Sequence, residues 1–167
     1  MTEQTTATTI ETTGRTDLEG KYLTFALAEE EYGLEILKVR EIIGIMSITA
    51  VPRTPNFVKG VINLRGKVIP VIDLRLKFGM DEAERTDETC IIVVQVGDIE
   101  MGTIVDRVSE VLDIAGENIE EAPEFGVNVS TDFILGMGKS EGRVTILLDI
   151  SKVLTGDELS VVRAATK

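Results

Sequence analysis

Two stretches of the chain, FVKGVINLRGKVIPVIDL at residues 57–74 and FILGMGKSEGRVTILLDI at residues 133–150, match each other at a constant offset of 76 positions. Each contains two short runs of β-forming residues around a turn with glycine, which is typical of a β-hairpin. The matched positions that both keep unchanged are Phe57/Phe133, Gly60/Gly136, Gly66/Gly142, Val68/Val144 and Asp73/Asp149. Paired glycines and aspartates at one offset predict an internal duplication.

A second match lies upstream of these hairpins, at an offset of 69 positions. It pairs Gly33/Gly102, Val39/Val108, Glu41/Glu110, Ile42/Val111 and Ile43/Leu112. The offset grows to 76 through an insertion of seven residues in the second copy, around residues 118–130. We therefore place the first copy at about residues 21–79 and the second at about 89–156, with the highly charged stretch 80–88 as a surface linker.

The fold class that follows is all-β, with two barrels. Each copy has about 70 residues and about five short strands, and so small a sheet must curl on itself to protect its edges. Each barrel alone would be marginally stable, so we expect the two to share a core. We expect positive φ at Gly66 and Gly142, helical turns capped by Asp73 and Asp149, and a short C-terminal helix. Pro70 lacks a ladder donor and predicts an edge strand.

The composition excludes most enzyme classes. The chain has 167 residues, no histidine and a net charge of −12, which argues against histidine-based catalysis, histidine metal sites and nucleic-acid binding. The lone Cys90 cannot form an internal disulfide, and no apolar run is long enough to span a membrane, so we expect a cytoplasmic protein. The threonine-rich residues 1–17 predict a disordered leader, and residues 160–167 a tail.

Differences between the copies point to function. Arg65 matches Glu141, so its guanidinium either binds a partner's carboxylate or forms an ion pair within the chain. The apolar side chains between Leu34 and Met46 are too many for one inward face, so some must lie between the barrels or be exposed. Exposed apolar patches commonly mark interaction sites, and Val39 with Val108 could form the walls of a groove for a partner helix. The alternative for each of these residues is ordinary core.

EYGLEILKVREI at residues 31–42, the hairpin at 57–74 and GTIVDRV at 102–108 resemble the CheW family of chemotaxis coupling proteins. The resemblance covers about residues 21–159, and it implies a single domain at about residues 18–159. The resemblance implies two SH3-like five-stranded barrels. It also implies a non-enzymatic adaptor, without cofactor or metal, that links the tip of the chemoreceptor hairpin to the regulatory domain of the histidine kinase CheA at membrane-associated arrays. It implies a receptor groove at Leu23, Ile36, Val39, Ile42 and Val108, and coupling positions at Glu41, Gly60 and Arg65.

Two other functions stay open at this point. The chain could serve a chemosensory-like array that controls pili or biofilm. A hypothesis of a different class is a metal-dependent β-barrel that binds a ligand through the carboxylates of Asp73 and Glu41, although neither has the spacing of a known metal motif.

Overall fold

The computed structural model describes residues 16–123 and 131–164. The predicted leader therefore lies mostly outside the described residues, and Thr16–Leu18 forms a short 3₁₀ turn. Part of the predicted insertion, residues 124–130, and the last three residues of the predicted tail also lie outside.

Within the described ranges, eleven strands build the two barrels. They are β1 (Gly20–Leu27), β2 (Glu30–Glu35), β3 (Val39–Gly44), β4 (Val58–Leu64), β5 (Lys67–Asp73), β6 (Cys90–Val96), β7 (Ile99–Val105), β8 (Arg107–Ile114), β9 (Ile119–Glu120), β10 (Ile134–Ser140) and β11 (Arg143–Leu148). Barrel 1 has the strand order β8-β1-β2-β11-β10-β9, and barrel 2 has the order β3-β6-β7-β5-β4. The all-β class with two SH3-like barrels is confirmed, and barrel 1 gains a sixth strand of two residues.

The copies of the sequence do not coincide with the barrels. The hairpin β1–β2 of the first copy joins β8 to β11 of the second, and the hairpin β6–β7 of the second copy joins β3 to β5 of the first. Four pairings make this exchange: β1 with β8 and β3 with β6 are antiparallel, and β2 with β11 and β5 with β7 are parallel. The expectation that each copy closes its own barrel is wrong in this respect, because the repeat pattern does not say which neighbour a strand pairs with.

The expected shared core is the largest apolar cluster in the described residues. It joins Phe25 and Leu34 of barrel 1 to Ile72 and Ile92 of barrel 2, all fully buried. Each barrel also has a smaller interior cluster of its own. Burial of apolar surface stabilises a fold by about 25 cal/mol per Å². The largest cluster thus joins the barrels into one folding unit.

The predicted turns and caps are confirmed. Gly66 has φ 87° and Gly142 has φ 78°, and the preceding Arg65 and Glu141 are also left-handed, as a two-residue hairpin turn of type I′ requires. The carboxylate of Asp73 accepts a hydrogen bond from the amide of Leu76 and begins α1 (Leu74–Lys77).

In the second copy, Asp149 caps α2 (Ile150–Val153). The predicted terminal helix is α3 (Gly156–Ala164), so part of the predicted tail is helical and Val162 is buried in the shared core. The hydroxyl of Thr155 accepts from the amide of Glu158 while the Glu158 carboxylate accepts from the amide of Thr155. This reciprocal capping box fixes the start of the helix.

The expectation that Pro70 marks an edge strand is wrong. Its strand, β5, lies between β4 and β7. Pro70 is opposite Val61 of β4, whereas pairing with β7 begins one residue later, at Val71. Proline is tolerated here because the ladder to β7 has not yet started, so no donor to β7 is lost.

None of the helices in the described residues has the length and apolar composition needed to cross a bilayer.

Candidate partner-binding groove

The groove predicted from the sequence involves β3 and β8, each of which is the terminal strand of its sheet. Val39 of β3 and Val108 of β8 both pack against the shared core. Both strands carry a β-bulge at the matched position: Arg40 is the extra residue opposite Val93 and Val94, and Ser109 is the extra residue opposite Thr24 and Phe25. A bulge twists a strand and changes which face its side chains occupy. Val39 and Val108 lie before the bulges. After the bulges, Ile43 and Leu112 pack against the interior cluster of their own barrel.

The predicted groove residues occupy three environments. Ile36, Val39 and Val108 are half-buried and pack against the shared core, and Ile42 is 46% exposed. Leu23 is different, because only 3% of its surface is exposed and it belongs to the core itself. Leu23 can support the base of a groove but offers almost no surface to a partner.

Sequence reasoning assigned neither of two exposed apolar side chains of this region to the groove. Val111 is 49% exposed and lies opposite Leu23 in the ladder between β8 and β1. It matches Ile42, which lies opposite Ile92 in the other barrel. The offset of 69 contained this signal, since it aligned Ile42 with Val111. The second residue, Leu37, is 92% exposed in the 3₁₀ turn Ile36–Lys38 and follows no periodic pattern.

The structure resolves the apolar excess between Leu34 and Met46. Leu34 lies in the shared core, with Ile36 and Val39 packed against it. Ile43, Ile45 and Met46 pack inside barrel 2. Of this set, Leu37 is largely exposed and Ile42 about half exposed. The chain therefore covers most of the seam between its barrels itself and leaves apolar surface along the two terminal strands.

The predicted coupling residues Glu41 and Arg65 contact each other. The guanidinium of Arg65 donates two hydrogen bonds to the Glu41 carboxylate, one of them 3.3 Å long. These bonds lower the pKa of Glu41. The alternative of an ion pair within the chain is thus realised, while 69% of the Arg65 side chain remains exposed. The pair links the β4–β5 turn to β3 across barrel 2.

Gly60 has a structural role that its position in the sequence did not reveal. A Cβ atom at this residue would lie 1.9 Å from the carbonyl oxygen of Thr49, and its φ is 139°. Thr49 and Val61 exchange two backbone hydrogen bonds of 2.9 Å, which join the segment after β3 to β4. Gly60 therefore permits the contact between β4 and the segment after β3, and β3 and β4 are the two terminal strands of barrel 2.

The geometry argues against the metal hypothesis. Asp73 is 5% exposed and caps α1, and burial raises the pKa of its carboxyl. Glu41 is engaged by Arg65 in another part of the barrel. Within residues 16–123 and 131–164, no group of three or more potential ligands could hold a metal ion.

A separate apolar cavity of about 420 Å³ lies beside α1 and β11. A row of stacked rings runs along it, with centroids 5.9 Å apart between Tyr32 and Phe78 and 5.2 Å apart between Phe78 and Phe133. Sequence reasoning did not predict it, because its aromatic residues lie far apart in the chain.

Comparison with known proteins gives three concordant findings. Residues 21–158 match the family model of the CheW-like domain. The chain is 43% identical to the chemotaxis protein CheW of Klebsiella aerogenes over 88% of this chain and 89% of that protein, and 41% identical to CheW of Bacillus subtilis over 80% and 86%. It superimposes with a TM-score of 0.76 and 38% identity on the scaffolding protein TtCheW of Thermoanaerobacter tengcongensis, covering 84% of this chain and 96% of that one.

Proposed function

The chain belongs to the CheW-like family, a family of scaffolding proteins of chemotaxis rather than enzymes, and on that premise we propose that it couples the cytoplasmic tips of chemoreceptors to the regulatory domain of the kinase CheA. The observation that supports the proposal most directly is the matched pair of exposed side chains Ile42 and Val111 on the two terminal strands. They form apolar surface that the chain itself leaves uncovered.

The shape and chemistry of this surface suit a helical partner. An amphipathic helical hairpin can place its apolar face against Val39, Ile42, Val108 and Val111, and burial of that surface would provide most of the affinity. Charged residues at the rim would contribute more to orientation and to the rate of association than to affinity.

The second partner, the kinase, would contact a different part of the molecule. The Arg65 side chain has spare hydrogen-bonding capacity beyond Glu41, and it lies at an exposed turn of barrel 2. An adaptor that binds receptor and kinase through separate surfaces can transmit a change in one to the other, provided that each receptor state favours a different arrangement of the complex. We place Glu41 and Arg65 in this coupling surface and assign Gly60 to its support. At the array, the protein would be held by its partners.

The test is a binding experiment with a CheA regulatory domain and a receptor cytoplasmic fragment, each alone and both together. We expect the protein to bind each of them and to form a ternary complex. Loss of receptor binding in Ile42→Glu with retained kinase binding would support separate surfaces. Failure of the folded wild-type protein to bind either partner would contradict the proposal. The same outcomes apply to arrays that control pili or biofilm, since the proposal concerns the binding surfaces and not the output.

A further inference from the structure

The chain crosses between the two barrels at matched positions that differ sharply. It passes from β2 to β3 through Ile36–Lys38 and from β7 to β8 through the single residue Asp106. The offset of 69 aligns Leu37 with Asp106. The first crossing exposes a leucine, whereas the second places a carboxylate among hydrogen-bond donors.

Asp106 joins three elements through one carboxylate. Its Oδ1 accepts a hydrogen bond of 2.8 Å from Nε of Arg75, and its Oδ2 accepts one of 2.7 Å from Nη2 of the same residue. Oδ2 also accepts a bond of 2.8 Å from the amide of Ala28, while the amide of Asp106 donates to the carbonyl of Ala26. We call Arg75, Asp106 and the Ala28 amide the clamp. It ties α1, which follows β5 of barrel 2, to the β1–β2 turn of barrel 1.

The clamp is better shielded from water than most charged contacts of this protein. The side chains of Arg75 and Asp106 are 19% and 24% exposed, whereas those of the pair Lys21–Asp113 are 61% and 68% exposed. Burial raises the pKa of the Asp106 carboxyl, but the bonds from Arg75 and from the Ala28 amide lower it by more, so the net pKa lies below its usual value. A bidentate guanidinium–carboxylate contact also fixes geometry, which a single-point contact does not.

The clamp lies next to one wall of the groove. Val108 is two residues after Asp106 and faces Phe25 of β1, just before the bulge at Ser109. The strand that carries Val108 and Val111, β8, therefore begins at the residue directly after Asp106. The opposite wall, β3, follows the crossing that has Leu37 in place of the aspartate. Its position is set by pairing with β6 and by the shared core.

We propose that Arg75 and Asp106 are positioning residues that fix the β8 wall of the groove relative to the β3 wall. The consequence for binding rests on the proposed function, because the groove is the proposed receptor site. The effect of the clamp on the spacing of the two walls does not depend on the proposed function. Neither residue needs to touch the partner, since the clamp acts through the backbone from Asp106 to Val108.

The spacing can be measured without a partner. Spin labels at Lys38→Cys and Ser109→Cys, in a Cys90→Ser background, report the distance between the starts of the two walls. We expect one narrow distance distribution with the clamp intact and a clearly broader one in Arg75→Gln or Asp106→Asn. Lys21→Gln, which removes an exposed pair between β1 and β8, is the control and should leave the distribution narrow. Arg75→Lys keeps the charge without the bidentate contact, and we expect intermediate broadening. If Arg75→Gln does not fold, the comparison is made with Arg75→Lys instead.

An unchanged distribution in folded Arg75→Gln or Arg75→Lys overturns the inference, whatever the receptor affinity. If the distribution broadens, we expect the Kd for a receptor cytoplasmic fragment to rise about tenfold, as is usual for residues that modulate a site without contacting it. A broadened distribution with unchanged affinity would support the positioning role and contradict the groove as the receptor site. The two proposals therefore fail in distinguishable ways.

Discussion

Barrel 1 and barrel 2 derive from one pattern, and their surface contacts agree in one place and differ in another. The pairs Lys67–Glu100 at 3.1 Å and Arg143–Glu31 at 3.3 Å occupy matched positions in the two barrels. The pair Arg65–Glu41 has no such counterpart, because the matched residues Glu141 and Glu110 are both acidic. The repeated ion pair fits a requirement of the fold, and the unrepeated one is available for a task that one barrel performs.

The two connections between the barrels also differ at matched positions. Leu37 and Asp106 have equivalent places, but one is exposed and the other is held by the clamp. A duplicated chain thus stays similar where both copies need the same backbone and diverges where only one surface is used. The following predictions compare matched positions.

The largest effect is expected from Gly60→Ala, which should destabilise the fold by about 4 kcal/mol or more, because the new Cβ meets the Thr49 carbonyl at 1.9 Å on a backbone with positive φ. The matched Gly136→Ala should cost about 1–3 kcal/mol, since its Cβ meets the Glu120 carbonyl at 2.9 Å. Denaturant unfolding measures both. Gly44→Ala has open space and is the control. Equal losses of unfolding free energy in Gly60→Ala and Gly136→Ala would contradict a particular importance of the Thr49–Val61 contact for the stability of barrel 2.

Ile42→Glu and Val111→Glu compare the two groove walls. Each should weaken binding of a receptor cytoplasmic fragment by about 30-fold or more, the range of an interface hot spot, while the protein remains folded because both side chains are already about half exposed. Calorimetric titration measures the affinities, and Val144→Glu, a similarly exposed valine on β11, is the control. If the control loses as much affinity as the two wall variants, the effect is one of charge and not of the groove.

The clamp should make the free energy of unfolding decrease as the pH falls into the acidic range. A carboxyl whose pKa is lower in the folded than in the unfolded state contributes stability that is fully present above the unfolded value, about 3.9, and is lost as pH falls through the folded pKa. Asp106 has this direction of shift. Asp106→Asn should therefore reduce stability at neutral pH and flatten its decline below about pH 4. Unfolding curves at several pH values, with Asp113→Asn as control, measure it. An unchanged slope would contradict a clamp that acts through charge.

The smallest effects on stability are expected at the hairpin turns. Arg65→Ala should leave the free energy of unfolding near that of the wild type, because the ion pair with Glu41 is largely solvent-exposed. It should nevertheless weaken assembly of the ternary complex. Glu141→Arg would place a guanidinium at the matched turn of barrel 1 and should change stability as little. A marked drop in melting temperature for Arg65→Ala would show that this residue is needed for closure of barrel 2.

The local elements of the fold were predictable because their signals are local. The positive φ at Gly66 and Gly142 and the caps at Asp73 and Asp149 depend on residues within four positions of each other. The candidate site was predictable in part, since the apolar excess around Val39 and Ile42 indicated surface beyond the core. The burial of Leu23 was not, because its cover comes from residues distant in the sequence.

The amino-acid sequence by itself determined the duplication, the all-β class, the turns and the family, because each of them depends on residue types at fixed separations along the chain. Only the tertiary structure decided that the hairpins exchange between the barrels, that β5 is an inner strand despite Pro70, and that Arg75 meets Asp106 across 31 positions. The reason is that strand pairing depends on which edges meet in space, and many partners satisfy the same alternation of apolar and polar residues.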